Sequence, residues 1–392
     1  MDDIGGRRFP TAPPDGLIAA ILLSFLATAG LFYVNIMAAI VDGLISGLGF
    51  SDAQAGNIGS ANIYGAALGA LFAVILVKRI AWRPASIGLL ALLIVLDLAS
   101  MAIASPLAMI AIRLLHGLTG GLLVGIAFAV IARTGNAERT FGVMMFVQFG
   151  LGGLGVLTLP QLVPIYGTPA LFAALALFSL ATLAMVPFLP DYPPRQPAQP
   201  GEPVVQVARG PLYYTLAAIF LFQCANMALL AYMIRLGLNY GLARDYVSTA
   251  LGLATWVALA GPALVVMLGT RHGRFRPLLA SMVLTLAGIA AFHYSADRWI
   301  YLIANCATGI TWGLVVAYLL GMTARFDGTG RSAAAAGFAS KMGLASGPLF
   351  AGQMLAHGAS FSALINVALV LLLLSMVVML IPAARLDRQP CA

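Results

Sequence analysis

Long apolar runs alternate with short polar interruptions along the whole chain. Twelve runs stand out, at about 17–41, 55–77, 84–104, 106–131, 141–164, 168–189, 211–234, 246–269, 277–295, 299–322, 333–355 and 361–383. Their lengths match the roughly 20 residues that carry a helix across a hydrocarbon layer about 30 Å thick. None shows the period-two alternation of a barrel strand, and a segment in lipid must satisfy its backbone groups internally, so each run reads as a helix. Most interruptions are short and punctuated by Pro or Gly, as at Ser105-Pro106, Tyr166-Gly167 and Gly358. The longer Pro-rich stretch 190–210 reads as a linker between two halves. The pattern predicts an all-α membrane protein with twelve transmembrane helices in two pseudo-symmetric six-helix bundles. The expected order is a tail (1–16), a first bundle (17–189), the linker, a second bundle (211–384) and a tail (385–392).

The halves repeat each other. A shift of 192 residues brings Tyr64 onto Trp256, Gly69 onto Gly261, Arg79 onto Arg271, Gly117 onto Gly309, Gly121 onto Gly313 and Arg139 onto Arg331. Six crossings return the chain to its starting side, so the two repeats run parallel about an axis along the membrane normal. Such repeats place a binding site between them near the bilayer midplane.

Composition narrows the class. Hydrophobic residues make up 61% of the chain and charged residues 9%, against about 25% charged in soluble domains. Such a chain can neither build a charged, water-exposed skin nor remain disordered. The net charge of +8 does not point to nucleic acid, because the basic residues sit mostly in short connections between apolar runs rather than on one surface. Sixteen of them fall on one side of the predicted layer, which places both termini in the cytoplasm, in a bacterial inner membrane. The run at 17–41 lacks a cleavage site and reads as the first span rather than a signal peptide. Cys224, Cys306 and Cys391 are too scattered for a disulfide framework or a metal site. No P-loop, zinc motif or nucleophile–base set is visible. We expect no cofactor, no metal and no enzymatic activity, with energy drawn from a gradient.

Two local patterns carry a resemblance. Lys78, Arg79 and Arg83 lie between spans 2 and 3, and Arg271, Arg274 and Arg276 occupy the matching loop of the second half. Arg113, Gly117 and Gly121 form an RxxxGxxxG stripe in span 4, with Gly125 continuing it. With the twelve spans, the linker and the repeat, these patterns resemble the major facilitator superfamily. In that family the loop reads GxxxDRxGRR; here its first Gly, its Asp and its second Gly are missing. The resemblance implies a secondary transporter working by alternating access. It assigns gating to the loop basic residues and links the span-4 Arg to proton coupling. Spacing alone gives the glycines a packing role, and lipid phosphates would also hold the basic loops. The Gly-Pro of the family's proton-driven exporters is absent from span 5; Gly347-Pro348 lies in span 11 instead.

Ionisable side chains deep in a bilayer are functional candidates. Asp97 and Arg113 lie at similar depth on adjacent spans and are expected to pair, as a protonation switch or as a static compensating pair. His116 follows Arg113 by one turn and adds a group that titrates near neutral pH. Asp97, Arg113 and His116 are therefore the proton-coupling candidates. Lys341 lies near the midplane of span 11, too deep to snorkel, and reads as a counter-charge for an anion. The expected substrate-binding set is Lys341, Arg113, His116, Gln148, Gln223, Asn226, Asn305 and the equivalent aromatics Tyr64 and Trp256. Each of the neutral members also fits plain helix packing. Asp42 is expected to reach the outer interface, and no role is assigned to His293.

These residues suggest proton-coupled symport of a small organic anion such as a carboxylate. A proton-driven exporter of amphipathic compounds, and a channel or receptor, are the alternatives. Expected partners are a small-molecule substrate, protons and the lipid bilayer, but no nucleic acid, and the chain is expected to act as a monomer.

Overall fold

The computed structural model describes residues 11–77, 80–193, 209–268, 273–326 and 331–388, and among these no strand occurs. The first apolar run is broken into α1 (Leu17–Ala29), α2 (Phe32–Asn35) and α3 (Met37–Leu48). The next five runs give α4 (Asp52–Leu76), α5 (Trp82–Ser100), α6 (Pro106–Ile131), α7 (Ala137–Tyr166) and α8 (Pro169–Met185). In the second half, α9 (Arg209–Ala231) and α10 (Met233–Asn239) form one run, and α11 (Arg244–Val257) and α12 (Ala260–Leu268) form the next. The chain ends with α13 (Phe275–Ala291), α14 (Arg298–Phe326), α15 (Arg331–Ala356) and α16 (Phe361–Arg388).

Among the described residues, ten helices are long and apolar enough to cross a membrane. The expected twelve are thus met in part, for two physical reasons. The first run bends at Gly30–Leu31 and at Ile36, leaving two shorter apolar helices. The 26-residue α15 carries Lys341, Gln353 and many small residues, which dilute its apolar character. At the C-terminus, α16 stays helical through Arg388. Most of the expected linker, 194–208, lies outside the described residues.

Sequence explains how the helices start and pack. Ser51 and Gln54 form a reciprocal capping box at the head of α4. Pro106 and Pro169 open α6 and α8, where a missing N–H costs nothing. The span-4 glycines let α6 lie against α4. A Cβ on Gly117 would strike the Asn62 carbonyl, and one on Gly121 the Ala66 carbonyl. Gly65 and Gly69 of α4 face the Leu114 and Leu118 carbonyls in return. The repeat is looser at the Gly117-equivalent position, where a Cβ on Gly309 would sit 3.0 Å from the Ala258 methyl, while Gly261 faces the Ile310 carbonyl as closely as Gly69 faces that of Leu118.

Two seams join the halves, α4 against α15 and α7 against α11. They are equivalent under the 192-residue shift. Gly56 lies against the Pro348 carbonyl in one, and Gly153 against the Gly252 carbonyl in the other.

At the face carrying the termini, each half is tied internally. Arg83 pairs with Asp191 at 3.0 Å and donates to the Leu189 carbonyl at 2.7 Å. Arg133 donates to the Tyr192 carbonyl, and the Tyr192 hydroxyl donates to the Pro14 carbonyl. Burial and nearby Asp15 push the Tyr192 phenol up to about 12. In the second half, Asp387 accepts from the Arg274 and Phe275 amides at 2.8 Å.

Candidate functional site

Asp97, Arg113 and His116 come together inside the first half. Arg113 donates to Asp97 Oδ1 at 2.8 Å, to the Leu96 carbonyl at 3.0 Å and to Ser100 Oγ. Its guanidinium lies 4.9 Å from the Phe172 ring centre and 5.9 Å from that of Tyr33. Both Asp97 and Arg113 are wholly buried. The pair expected on depth alone is therefore present, one charge cancelling the other in a site without water access.

His116 completes the cluster. Its Nε2 is 3.3 Å from Asp97 Oδ1, and its Nδ1 is 2.8 Å from Asn62 Nδ2. Asn62 Nδ2 also faces the Arg113 carbonyl at 3.2 Å. A carbonyl only accepts, so that Asn62 atom is the amide nitrogen, and His116 Nδ1 accepts from it. The neutral ring then carries its hydrogen on Nε2, directed at Asp97. Three polar atoms here are buried without a partner: Asp97 Oδ2, Arg113 Nε and the Tyr33 hydroxyl oxygen.

A separate cavity of about 390 Å³ lies between the halves. Of the expected substrate residues, Lys341, Gln148, Gln223, Asn226 and Asn305 line it; Arg113, His116, Tyr64 and Trp256 do not. Arg113 and His116 are covered by their own half, with Tyr33 packed beside both the Arg113 guanidinium and the His116 ring. Tyr64 and Trp256 are taken up by the seams instead. The Tyr64 hydroxyl meets Ser346 Oγ at 2.9 Å, and Trp256 donates to the Gly150 carbonyl at 3.0 Å. The two equivalent aromatics both make contacts between the halves.

Inside the cavity, Lys341 is half-buried and has no hydrogen-bond or ion-pair partner among the described residues. Gln223 accepts from Trp312 Nε1 at 2.7 Å and donates to Ser340 Oγ at 2.8 Å. Asn35 and Gln148 bond to each other, Gln148 Nε2 donating to Asn35 Oδ1 at 3.1 Å. The broken first run brings Leu31, Val34 and Asn35 to the wall, so the irregular backbone lies where it lines a cavity. Trp312 and Phe149 form an edge-on aromatic pair with centres 6.2 Å apart.

Of the expected gating residues, Lys78, Arg79 and Arg271 lie outside the described residues. Arg83 and Arg274 make the ties within each half described above, and Arg276 is exposed. Polar contacts between the halves occur elsewhere, away from the termini. Asp42 is buried rather than interfacial and pairs with Arg244. Arg235 lies 3.9 Å from Asp52, and the Tyr232 hydroxyl donates to the Asp52 carbonyl at 2.6 Å. The two ion pairs mirror each other: the first half supplies both acids and the second both arginines. Sequence reasoning passed over this set, although one signal was present. Asp52 and Arg244 are equivalent under the 192-residue shift and opposite in charge. Tyr33, Asn62 and Trp312 were also missed, since nothing local distinguishes them from packing residues.

Solved structures show the same fold. The chain is similar to the nucleoside transporter NupG, with a TM-score of 0.72 at 13% identity, covering 95% of this chain and 100% of that one. It is similar to a D-xylose-proton symporter with a TM-score of 0.68 at 14% identity, covering 91% and 96%. No curated protein sequence matches it. The family model described as Major Facilitator Superfamily matches residues 18–351, and this chain belongs to that superfamily of membrane transporters.

Proposed function

We propose that the protein is a proton-coupled symporter of a small organic anion, built as two six-helix bundles around the cavity, with both termini in the cytoplasm. The observation that carries this reading is Lys341, a cation facing a cavity between the halves without a counter-ion among the described residues. An ammonium so placed is costly in a membrane unless it meets an anion. The substrate's negative charge meets Lys341, and Gln148, Gln223, Asn226 and Asn305 position the rest of it. The charge of one anion is balanced by a co-moving proton.

Asp97 and His116 hold that proton. The His116 Nε2 hydrogen lies toward the Asp97 carboxylate, so proton gain at either group loosens the hold on Arg113. The contacts of Asp42 with Arg244, and of Asp52 with Arg235 and Tyr232, close the far face. Rocking the halves about the α4–α15 and α7–α11 seams breaks these pairs and exposes the cavity on the other side. The D-xylose-proton symporter of the same fold supports proton symport in this reading.

Purified protein in liposomes with an acid-outside gradient tests it. Accumulation of radiolabelled organic acids, lost in Lys341→Ala at unchanged thermal stability, is the expected result. Uptake of cationic dyes indifferent to Lys341 would favour the exporter reading instead.

A further inference from the structure

The cavity's polar groups are unequal in number and kind. Asn226 donates its amide hydrogen to the Phe222 carbonyl at 2.8 Å, and Asn305 donates to the Tyr301 carbonyl at 2.8 Å. Backbone carbonyls only accept, so both side chains present their oxygens to the remaining space. Thr255 gives its hydroxyl hydrogen to the Leu251 carbonyl, and Thr308 gives its own to the Ala304 carbonyl, each at 2.8 Å. Gln148 commits its Nε2 to Asn35, and its Oε1 is buried with no partner. These five side chains line one cavity. The two threonines have spent their single donors on backbone carbonyls, while Asn226 and Asn305 each keep a carbonyl oxygen and one amide hydrogen. Against them stands one cationic donor, Lys341.

A ligand that fits must supply what the walls lack. Its anionic group meets Lys341. Elsewhere it carries hydroxyl or N–H groups, because a buried polar atom left without a partner costs about 1–3 kcal/mol. A cation is excluded by Lys341, and a bare hydrocarbon acid would desolvate Asn226 and Asn305 without return. We infer that the site is selective for a small monoanion bearing several hydroxyl or N–H groups, such as a polyhydroxylated or amide-bearing carboxylate, over its hydrocarbon counterpart. This rests on the organic-anion reading and narrows it. The Trp312–Phe149 pair supplies an apolar edge, so a flat ring is accommodated as well as a short chain.

The test compares matched acids for binding and for uptake in the same liposomes: benzoate against gallate, and butyrate against threonate. Uridine and D-xylose serve as neutral controls. The expected result is that the hydroxylated member of at least one pair binds at least about tenfold more tightly, as a site built to hydrogen-bond its ligand requires. Asn305→Leu and Asn226→Leu should each narrow that gap. The wild-type comparison decides the matter even where a variant fails to fold. Equal binding within both pairs overturns the inference and leaves the anion reading standing. Uptake of a neutral control, unaffected by Lys341→Ala, overturns the anion reading itself.

Discussion

Where the first half carries Asp97, Arg113 and His116, the second carries Ile289, Asn305 and Thr308 at the equivalent positions. All three second-half residues line the cavity, and none of the first-half three does. The first-half cluster is shut away behind Tyr33, whose equivalent is the small Ala225. The charge that does face the cavity is reversed in location: Lys341 of the second half stands where the first has Phe149. One ancestral face has thus been used twice. In one copy it is a sealed ionised cluster, and in the other a cavity wall of neutral side chains.

The unpaired atoms follow the same division. Asp97, Arg113, Tyr33, Thr28 and Ser60 of the first half hold buried polar atoms without partners, whereas Ser295 is the corresponding case among described second-half residues. The second-half interior pairs its hydroxyls, as in Thr285 with Thr311 and Ser375 with the Ala218 carbonyl.

The strongest way to break this comparison is to remove one charge of the sealed cluster. Asp97→Asn strands the Arg113 guanidinium in an apolar interior, and we expect a loss of about 3–5 kcal/mol, read by thermal unfolding in detergent. The double variant Asp97→Asn, Arg113→Gln should recover much of that loss. Asn305→Leu, at the Arg113-equivalent position, should cost no more than about 0.5–1.5 kcal/mol, the net worth of one hydrogen bond. Equal losses at the two positions would show that the halves do not differ in this way.

Glycine substitutions give the next largest contrast. Gly117→Ala drives a methyl into the Asn62 carbonyl, which is backbone and cannot step aside, and should cost about 1–3 kcal/mol. Gly309→Ala meets a methyl group at the margin of contact and should cost clearly less in the same melt.

The crossed ion pairs sharpen the comparison on the far face. Asp42→Asn should raise alkylation of a cysteine placed at Leu230, in an otherwise cysteine-free protein, from the side opposite the termini. Asp52→Asn should do so by a few-fold at most. Its partner lies 3.9 Å away and both side chains are partly exposed, a setting worth about 0.2–1 kcal/mol. The smallest effect belongs to Tyr33→Phe. Its hydroxyl has no partner, so unfolding stability should hold or rise by up to about 1 kcal/mol. A marked loss would instead show that the hydroxyl stabilises the cluster.

Much of the architecture was legible because a bilayer imposes length and polarity on every span. The runs, the repeat, the span-4 glycine stripe and the depth match of Asp97 with Arg113 all follow from one-dimensional spacing. The break in the first run was not legible: no proline marks it, and Gly30 bends where it meets Gly120 of α6. The cavity lining was half legible. Lys341, Gln148, Gln223, Asn226 and Asn305 were found as polar groups at midplane depth, but depth says nothing about which way a side chain faces. Arg113, His116, Tyr64 and Trp256 passed the same filter and point elsewhere.

By itself, then, the sequence determined that the chain lives in a membrane, that it is a duplicated helical array, and which few polar groups lie deep within it. Those properties depend on distance along the chain, at a fixed rise per residue. The tertiary structure alone decided which deep groups share a cavity, which are sealed behind Tyr33, and that Asp42 and Asp52 reach across to Arg244 and Arg235. These facts depend on helix rotation and on contacts between residues nearly 200 positions apart, and neither is encoded in local spacing.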